Sequence, residues 1–150
     1  MKAVINEVKK QIGQCPKSIL KMDLLEQIKI LKEKLSNIYS KDSGRTRDCF
    51  FVSDEFVVKI PLDEAGCFDN EREARICKIY NKQINKNCHY DGDPHYAKCQ
   101  LEYIWSVPIL FMERVRLPVS YKGLPDWIGY IDCMQVGYNK QGKLVAYDYA

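Results

Sequence analysis

The sequence predicts an α+β domain whose strands form an antiparallel sheet. Short runs of β-branched and aromatic residues follow one another with brief connections, and a helical pattern interrupts them once. Consecutive strands joined by short loops pair antiparallel. A chain of 150 residues with 46% hydrophobic content is ordinary for a globular protein and long enough to bury a core.

The first forty residues predict a helical extension that precedes a domain covering residues 41–150. Apolar residues recur at helical spacing over residues 4–12 and stop at Gly13. A second apolar stripe occupies residues 24–38, with lysines between its members. Its narrow seam is typical of a short coiled coil. Two roles stay open for this stripe: packing on the protein's own core, and self-association or partner binding through residues 24–38.

The rest of the chain predicts two hairpins, a helix between strands and one short helix. Residues 41–47 are polar and turn-forming, and Asp69 or Asn70 can cap the central helix. The predicted elements are strands at 49–53 and Phe56–Pro61, a helix over 69–84, strands at 100–105 and 107–115, a short helix at Asp126–Tyr130, and a final hairpin of residues 134–138 and 143–149.

Cysteine usage and hydropathy indicate an intracellular, cytoplasmic protein with no membrane partner. The seven cysteines are odd in number and have no framework spacing, which favours reduced thiols. Cys49, Cys77 and Cys99 have apolar neighbours and are expected to be small core residues. No apolar run approaches the ~20 residues that cross a membrane, and the N-terminus lacks a secretory pattern.

The charge of the chain is unevenly distributed. Residues 1–48 contain eleven Lys and Arg against six Asp and Glu, whereas residues 49–150 contain twelve against fourteen. A basic region of this kind can bind nucleic acid or an acidic partner. Because only Tyr39 interleaves with these lysines, a base-stacking surface is not indicated, and a solvated helical face is favoured.

Lys59 is the most informative single residue. It follows a run of β-branched and aromatic residues that predicts a buried strand, where an unpaired charge costs several kcal/mol. Glu73, near the start of the predicted central helix, is the expected partner. Glu71 is the second choice because it lies on a different face of that helix. The alternative is an edge-strand lysine whose ammonium reaches water.

Five segments follow one another along the chain: Ser43-Gly44 before a strand, Val57-Val58-Lys59-Ile60, Asn70-Glu71-Arg72-Glu73, residues 109–115, and residues 142–150. In this order they resemble the small lobe of the protein-kinase fold. More narrowly, residues 40–150 are similar to small truncated kinase-like proteins (pseudokinases) of bacteriophages and mobile elements. The resemblance implies an antiparallel sheet with one αC-type helix, preceded here by two helices and followed by a hairpin. In this resemblance, residues 109–115 would be the fifth strand and hinge, and residues 142–150 the strand that ends in the metal-binding motif.

The resemblance also implies a nucleotide site. Lys59 would contact phosphates and pair with Glu73, Ser43 and Gly44 would form the loop that covers the phosphates, and Glu113 would belong to the hinge. Mg-ATP is the cofactor so implied.

The metal of that site would be held by two residues near the C-terminus. Asp148 would hold Mg²⁺, with Gln135 thirteen residues upstream as a second ligand. Arg45 and Arg47 are expected to be surface residues rather than phosphate ligands.

Departures from the kinase pattern predict a catalytically inactive protein. No His-Arg-Asp segment is present, Tyr130 stands where the catalytic aspartate would be, and Asp132 is two residues out of place. The chain also ends two residues after Asp148. We therefore expect a protein that binds another macromolecule, such as a phage-encoded inhibitor of a host or defence enzyme. The alternatives are an ATP- or GTP-dependent phosphotransferase acting on a small molecule, and a nucleic-acid-binding protein that uses its basic N-terminal region.

A second candidate site lies in the polar loop of residues 85–97 and the strand after it. Cys88, His89, His95 and Cys99 are zinc-ligand types within twelve residues. They lack the usual CxxC spacing, so an ordinary exposed loop is favoured over zinc binding.

Overall fold

A five-stranded antiparallel sheet forms the centre of the molecule, with helices on both faces. The computed structural model describes residues 1–85 and 92–149. Strand order is β1-β2-β3-β5-β4, and β6 and β7 form a separate hairpin. The α+β class with an antiparallel sheet is confirmed. The elements are α1 (Lys2–Ile12), α2 (Leu24–Ser36), β1 (Lys41–Ser43), β2 (Arg47–Phe51), β3 (Phe56–Pro61), α3 (Glu64–Asn85), β4 (Cys99–Ile104), β5 (Val107–Glu113), β6 (Val136–Tyr138) and β7 (Leu144–Ala146), with 3₁₀ helices at Ile19–Lys21, Asp126–Tyr130 and Asp132–Met134.

Helices α1 and α2 cover one face of the sheet. Helix α2 begins at Leu24 because the Asp23 side chain accepts a hydrogen bond from the Glu26 amide at 2.9 Å. The apolar stripes of both helices pack on the sheet in one buried core, so the α2 stripe serves the protein's own core; self-association through residues 24–38 stays a prediction. The core residues are Ile5, Val8 and Ile12 of α1, Ile28, Leu31 and Leu35 of α2, and Phe50, Val58, Ile60, Ile104, Val107, Ile109 and Phe111 of the sheet.

Helix α3 lies on the opposite face and is longer than predicted. It begins at Glu64 rather than at residue 69, because the Asp63 carboxylate accepts a hydrogen bond from the Gly66 amide at 3.0 Å and caps this earlier turn. Asp69 and Asn70, the expected caps, are therefore inside the helix. Among the described residues, neither α3 nor any other helix is long and apolar enough to span a membrane.

Strand β1 was not predicted, because it has no buried side chain. Its three residues are all exposed, yet they pair antiparallel with β2, with Lys41 opposite Phe50 and Ser43 opposite Asp48. An edge strand with both faces in water has no hydrophobic alternation. The expectation of a turn over 41–47 is thus wrong for residues 41–43.

The C-terminal hairpin is attached to the rest of the molecule through backbone hydrogen bonds. The Ala97 amide donates to the Ala146 carbonyl at 2.8 Å, and Arg116 and Tyr138 exchange two bonds of 2.8 Å. Both strands are shorter than predicted, since pairing is confined to Val136–Tyr138 and Leu144–Ala146. This attachment holds residues 147–149 next to β3 and α3.

Asp48 is a buried carboxylate at the meeting point of α2, β1 and β2. Only 1% of its surface is exposed, and its Oδ2 lies 2.7 Å from Lys41 Nζ and 3.0 Å from Lys32 Nζ. Burial by itself raises the pKa of Asp48, but the hydrogen bonds from the two lysines outweigh it, so the pKa is lowered. The charged form of Asp48 therefore stabilises the folded state.

We expect Gly66→Ala to lower the free energy of unfolding, measured in urea, by about 1–3 kcal/mol. A Cβ at this position would lie 2.1 Å from the Thr46 carbonyl oxygen and 3.0 Å from Pro61. In open space the same change would stabilise a helix by about 1 kcal/mol. Gly129→Ala is the matched control, because nothing lies within 4 Å of its added Cβ. Equal stability of Gly66→Ala and wild type would contradict the close approach.

We expect Asp48→Asn to lower the free energy of unfolding at pH 7 by about 1–3 kcal/mol. Because the folded-state pKa lies below the unfolded one, this stabilisation is present at neutral pH and lost as pH falls through the carboxyl range. The variant should therefore lose less stability than wild type between about pH 5 and pH 2. Asp42→Asn, on the exposed neighbouring strand, is the control; parallel acid limbs for Asp48→Asn and wild type would refute the assignment.

Candidate functional site

Four charged side chains from four parts of the chain meet beneath a cleft. We call Arg47, Lys59, Glu73 and Asp148 the charge cluster. Lys59 Nζ lies 3.1 Å from Glu73 Oε1 and 2.9 Å from Oε2, and only 6% of Lys59 and none of Glu73 is exposed. The ion pair expected from the cost of a buried lysine is therefore present. Glu71, the second choice, is exposed and accepts a hydrogen bond from Tyr103 instead.

Arg47 is the second cation of the charge cluster, and its expected place on the surface is wrong. It is 9% exposed, its guanidinium lies 3.1 Å from Glu73 Oε1, and it also contacts the Asp148 carboxylate. Strand β2 begins at Arg47, two residues earlier than predicted, and its register places this residue opposite Pro61. Arg45, in the preceding turn, is exposed as expected.

Backbone and amide groups hold the cluster in place. Lys59 Nζ donates to the Tyr147 carbonyl at 2.8 Å, and the Tyr149 amide donates to Glu73 Oε1 at 3.1 Å. Asn70, one turn before Glu73 on the same face of α3, donates to the carbonyls of Lys59 at 3.0 Å and Pro108 at 2.8 Å. Helix α3 is thereby bound to both β3 and β5.

The charges of the cluster act on one another through a largely dry environment. Burial raises the pKa of Glu73, although Lys59 and Arg47 oppose that rise. For Asp148, burial also raises the pKa, but the same two cations outweigh it and the pKa is lowered. Burial lowers the pKa of Arg47, and the carboxylates of Glu73 and Asp148 more than reverse this. Two cations and two carboxylates thus compensate each other.

A cavity of about 700 Å³ opens above the charge cluster. Five of the residues predicted to bind nucleotide or metal besides Lys59 line it, whereas Glu73 lies beneath its floor; the five are Ser43, Gly44, Glu113, Gln135 and Asp148. Formal charges around the cavity nearly balance. Its four cations are Arg45, Arg47, Lys59 and Arg114, and its five carboxylates are those of Asp42, Asp69, Glu113, Asp132 and Asp148.

The apolar wall of this cavity was not among the predicted features. The guanidinium of Arg114 stacks on Phe51, 4.7 Å from the ring centre, and Val57 and Met112 continue the wall. Alternation along the strands was the available signal, since Phe51 and Val57 share a cross-strand pair and point to the same side as Lys59.

The two residues implied for magnesium, Gln135 and Asp148, both line the cavity. Gln135 Oε1 is buried and accepts no hydrogen bond from the described residues, so it could accept a cation. Asp148 Oδ1, however, is already engaged by Arg47 and by Lys59 at 3.2 Å. Across residues 1–85 and 92–149, no group of three or more His, Cys, Asp or Glu is arranged to hold a metal. Magnesium binding by Asp148 and Gln135 stays a prediction.

The zinc ligands suggested by the sequence are only partly described. Cys88 and His89 lie outside the described residues. His95 Nδ1 is 2.6 Å from the Tyr80 hydroxyl, and Cys99 packs against Cys77 of α3. Zinc binding by these four residues stays a prediction.

Residues 130–135, where the resemblance places a catalytic aspartate, are sharply kinked. Tyr130 is exposed, whereas Asp132 and Gln135 both line the cavity. Cys133 and Met134, which lie between Asp132 and Gln135, have φ values of 52° and 51°. This left-handed conformation is one that non-glycine residues rarely adopt. The kink lies between two polar residues that line the cavity.

Comparison of the chain with protein-family models, curated proteins and solved structures found no match. The class that the fold and the site define is an α+β protein with a five-stranded antiparallel sheet, whose cleft lies above a buried, charge-compensated cluster.

We expect Glu73→Gln to destabilise the protein by about 3–5 kcal/mol in denaturant unfolding, because it leaves two buried cations facing one carboxylate. Glu71→Gln, two residues away and exposed, is the matched control and should change stability by less than about 0.5 kcal/mol. Similar losses for both variants would show that the buried pair is not what stabilises this helix–sheet contact.

Proposed function

We propose that this protein is a catalytically inactive, kinase-like protein that acts by binding another macromolecule. The observation that carries the proposal is the Lys59–Glu73 ion pair at the floor of a cleft that Asp148 also lines. A strand lysine paired with a helix glutamate, next to a metal-binding aspartate, is the arrangement with which kinases hold nucleotide phosphates.

The order of elements around the cleft supports the kinase-like part. Ser43 ends β1 and Gly44 follows it in the turn to β2, Lys59 is on β3, and Glu113 ends β5 and lines the same cavity. At Gly44 an added Cβ would lie 2.9 Å from the Arg47 carbonyl oxygen, so this turn approaches its own strand closely. A short turn near the strand that carries the lysine is what the sequence resemblance implies for the loop that covers the phosphates.

The absence of catalysis is proposed from the charges. At the position where kinases have the aspartate that orients a hydroxyl nucleophile, the resemblance places Tyr130, which is exposed. Asp148 is neutralised by Arg47 and Lys59, and the cavity has one more carboxylate than cations. Such a lining offers little attraction for a free triphosphate, which carries several negative charges.

A protein is the partner that the surface favours. Apolar side chains are exposed along one segment next to the cleft, and its first member lines the cavity; they are Leu117, Val119, Tyr121, Tyr130 and Met134. Exposed apolar and aromatic residues are typical of protein-binding surfaces. Inhibition of a host or defence enzyme by a phage-encoded protein is the role we propose, by analogy with the family that the sequence resembles.

A phosphotransferase acting on a small molecule is the second candidate. A volume of about 700 Å³ is typical of small-molecule sites, and Gln135 Oε1 is a buried acceptor without a partner among the described residues. Lys59, Glu73, Gln135 and Asp148 would then form the site.

Incubation with radiolabelled Mg-ATP or Mg-GTP separates the two candidates. We expect no phosphate transfer to the protein itself, to a general protein substrate or to a mixture of small hydroxyl compounds. Transfer that is abolished by Lys59→Ala, and retained by the control Lys78→Ala on the exposed face of α3, would overturn the inactive assignment.

Thermal unfolding with and without Mg-ATP tests separately whether the protein binds nucleotide. A ligand at about 100 times its Kd adds about 2.7 kcal/mol of stability. A rise in Tm without phosphate transfer would make the cleft a non-catalytic nucleotide site. An unchanged Tm at millimolar nucleotide would leave protein binding as its function and remove the phosphotransferase.

A further inference from the structure

The side chains of Cys77 on α3 and Cys99 at the start of β4 pack in the same contact between these two elements. The Cys99 amide donates to Cys77 Sγ at 3.4 Å, so the sulfur of Cys77 touches the backbone of Cys99. Conversely, Cys99 Sγ lies 3.8 Å from the carbonyl oxygen of Glu73, one helical turn before Cys77. Each sulfur thus contacts the backbone at or one helical turn from the other cysteine.

Two N–H groups face the sulfur of Cys77. It accepts hydrogen bonds from the Cys99 amide at 3.4 Å and from the Asn81 side-chain amide at 3.5 Å, and as a thiol it donates to the carbonyls of Ala97 at 3.8 Å and Cys99 at 3.9 Å. Hydrogen bonding from the Cys99 thiol lowers the pKa of Cys77 to about 6 against the opposing effect of burial. The same hydrogen bond, together with burial, raises the pKa of Cys99.

The remaining titratable groups at this position face Cys99 or belong to α3. The Tyr149 hydroxyl lies 3.5 Å from Cys99 Sγ and donates to the Ala97 carbonyl at 3.0 Å. Tyr80, one turn along α3, has a raised pKa, first through burial and then through the charge of Cys77. Because two amide donors face Cys77 Sγ, whereas Cys99 Sγ contacts the Glu73 carbonyl, Cys77 is the expected nucleophile of the pair.

We propose that Cys77 and Cys99 form an oxidisable dithiol that closes to an intramolecular disulfide when it reacts with a hydroperoxide. The Cys77 thiolate attacks the peroxide oxygen, the O–O bond breaks, and the leaving oxygen departs as water after protonation, giving a sulfenic acid. Cys99 Sγ then attacks Cys77 Sγ: the S–S bond forms, the S–O bond breaks, and the Cys99 proton leaves with that oxygen as water. Two thiols are oxidised and one hydrogen peroxide is reduced to two waters.

The disulfide would also alter the surroundings of the charge cluster. Cys99 Sγ would leave the Tyr149 hydroxyl, and the backbone amide of Tyr149 donates to Glu73. A covalent bond at Cys77, one turn after Glu73, would at the same time link α3 to β4. The dithiol is independent of the proposed function, because it requires neither a nucleotide nor a partner protein.

Peptide mapping of the reduced, folded wild-type protein after treatment with stoichiometric hydrogen peroxide tests the proposal. The reaction is quenched, free thiols are alkylated in denaturant, and the digest is analysed by mass spectrometry. We expect the Cys77–Cys99 crosslink in about ten-fold excess over oxidation at Cys15 or Cys133, because hydrogen-bond donors activate the Cys77 sulfur. Exposure alone would favour Cys15 and Cys133, so their staying reduced is the distinguishing result.

Three variants separate the two steps. Cys99→Ser should stop at a Cys77 sulfenic acid that dimedone traps, Cys77→Ser should leave Cys99 unoxidised, and Cys133→Ser should leave the crosslink unchanged. Oxidation confined to Cys15 and Cys133, or a Cys77 disulfide with any other cysteine such as Cys88, would overturn the proposal. If a core variant fails to fold, the wild-type peptide map alone still decides between these outcomes.

Discussion

The buried ammonium of Lys59 is the constraint on which the arrangement of the site depends. It lies on β3, with its side chain turned away from the core formed by α1 and α2. A charge so far from water requires a carboxylate within hydrogen-bonding distance. Glu73 supplies it, and the ion pair, together with the Asn70 amide bonds, fixes the register of α3 against the sheet.

Arg47 extends that single pair into a connection between distant parts of the chain. Because it contacts both Glu73 and Asp148, β2, α3 and the segment after β7 meet at one point. The result is a cluster without formal net charge beneath a cleft whose lining is slightly acidic. A lining of this charge offers little electrostatic attraction to a free anion.

Elements with strong local patterns were predicted well, and those shaped by tertiary contacts were not. The β2–β3 hairpin and the short helix Asp126–Tyr130 follow from β-branched runs and turn residues, and both are confirmed. Strand β1 escaped prediction because an exposed edge has no alternation. The first turn of α3 escaped because Gly66 weakens a helical pattern, although only glycine lets the helix approach the Thr46 carbonyl.

By itself, the sequence determined the succession of strands and helices and the demand of Lys59 for a counter-charge. Only the tertiary structure decided that Arg47 is a second cation and that Asp148, 89 residues away from Lys59, joins the cluster. It also decided that Cys77 and Cys99 lie in the same contact between α3 and β4. The physical reason is that periodicity records which face of an element is buried, whereas the partners across a buried contact are chosen by packing between elements far apart in the chain.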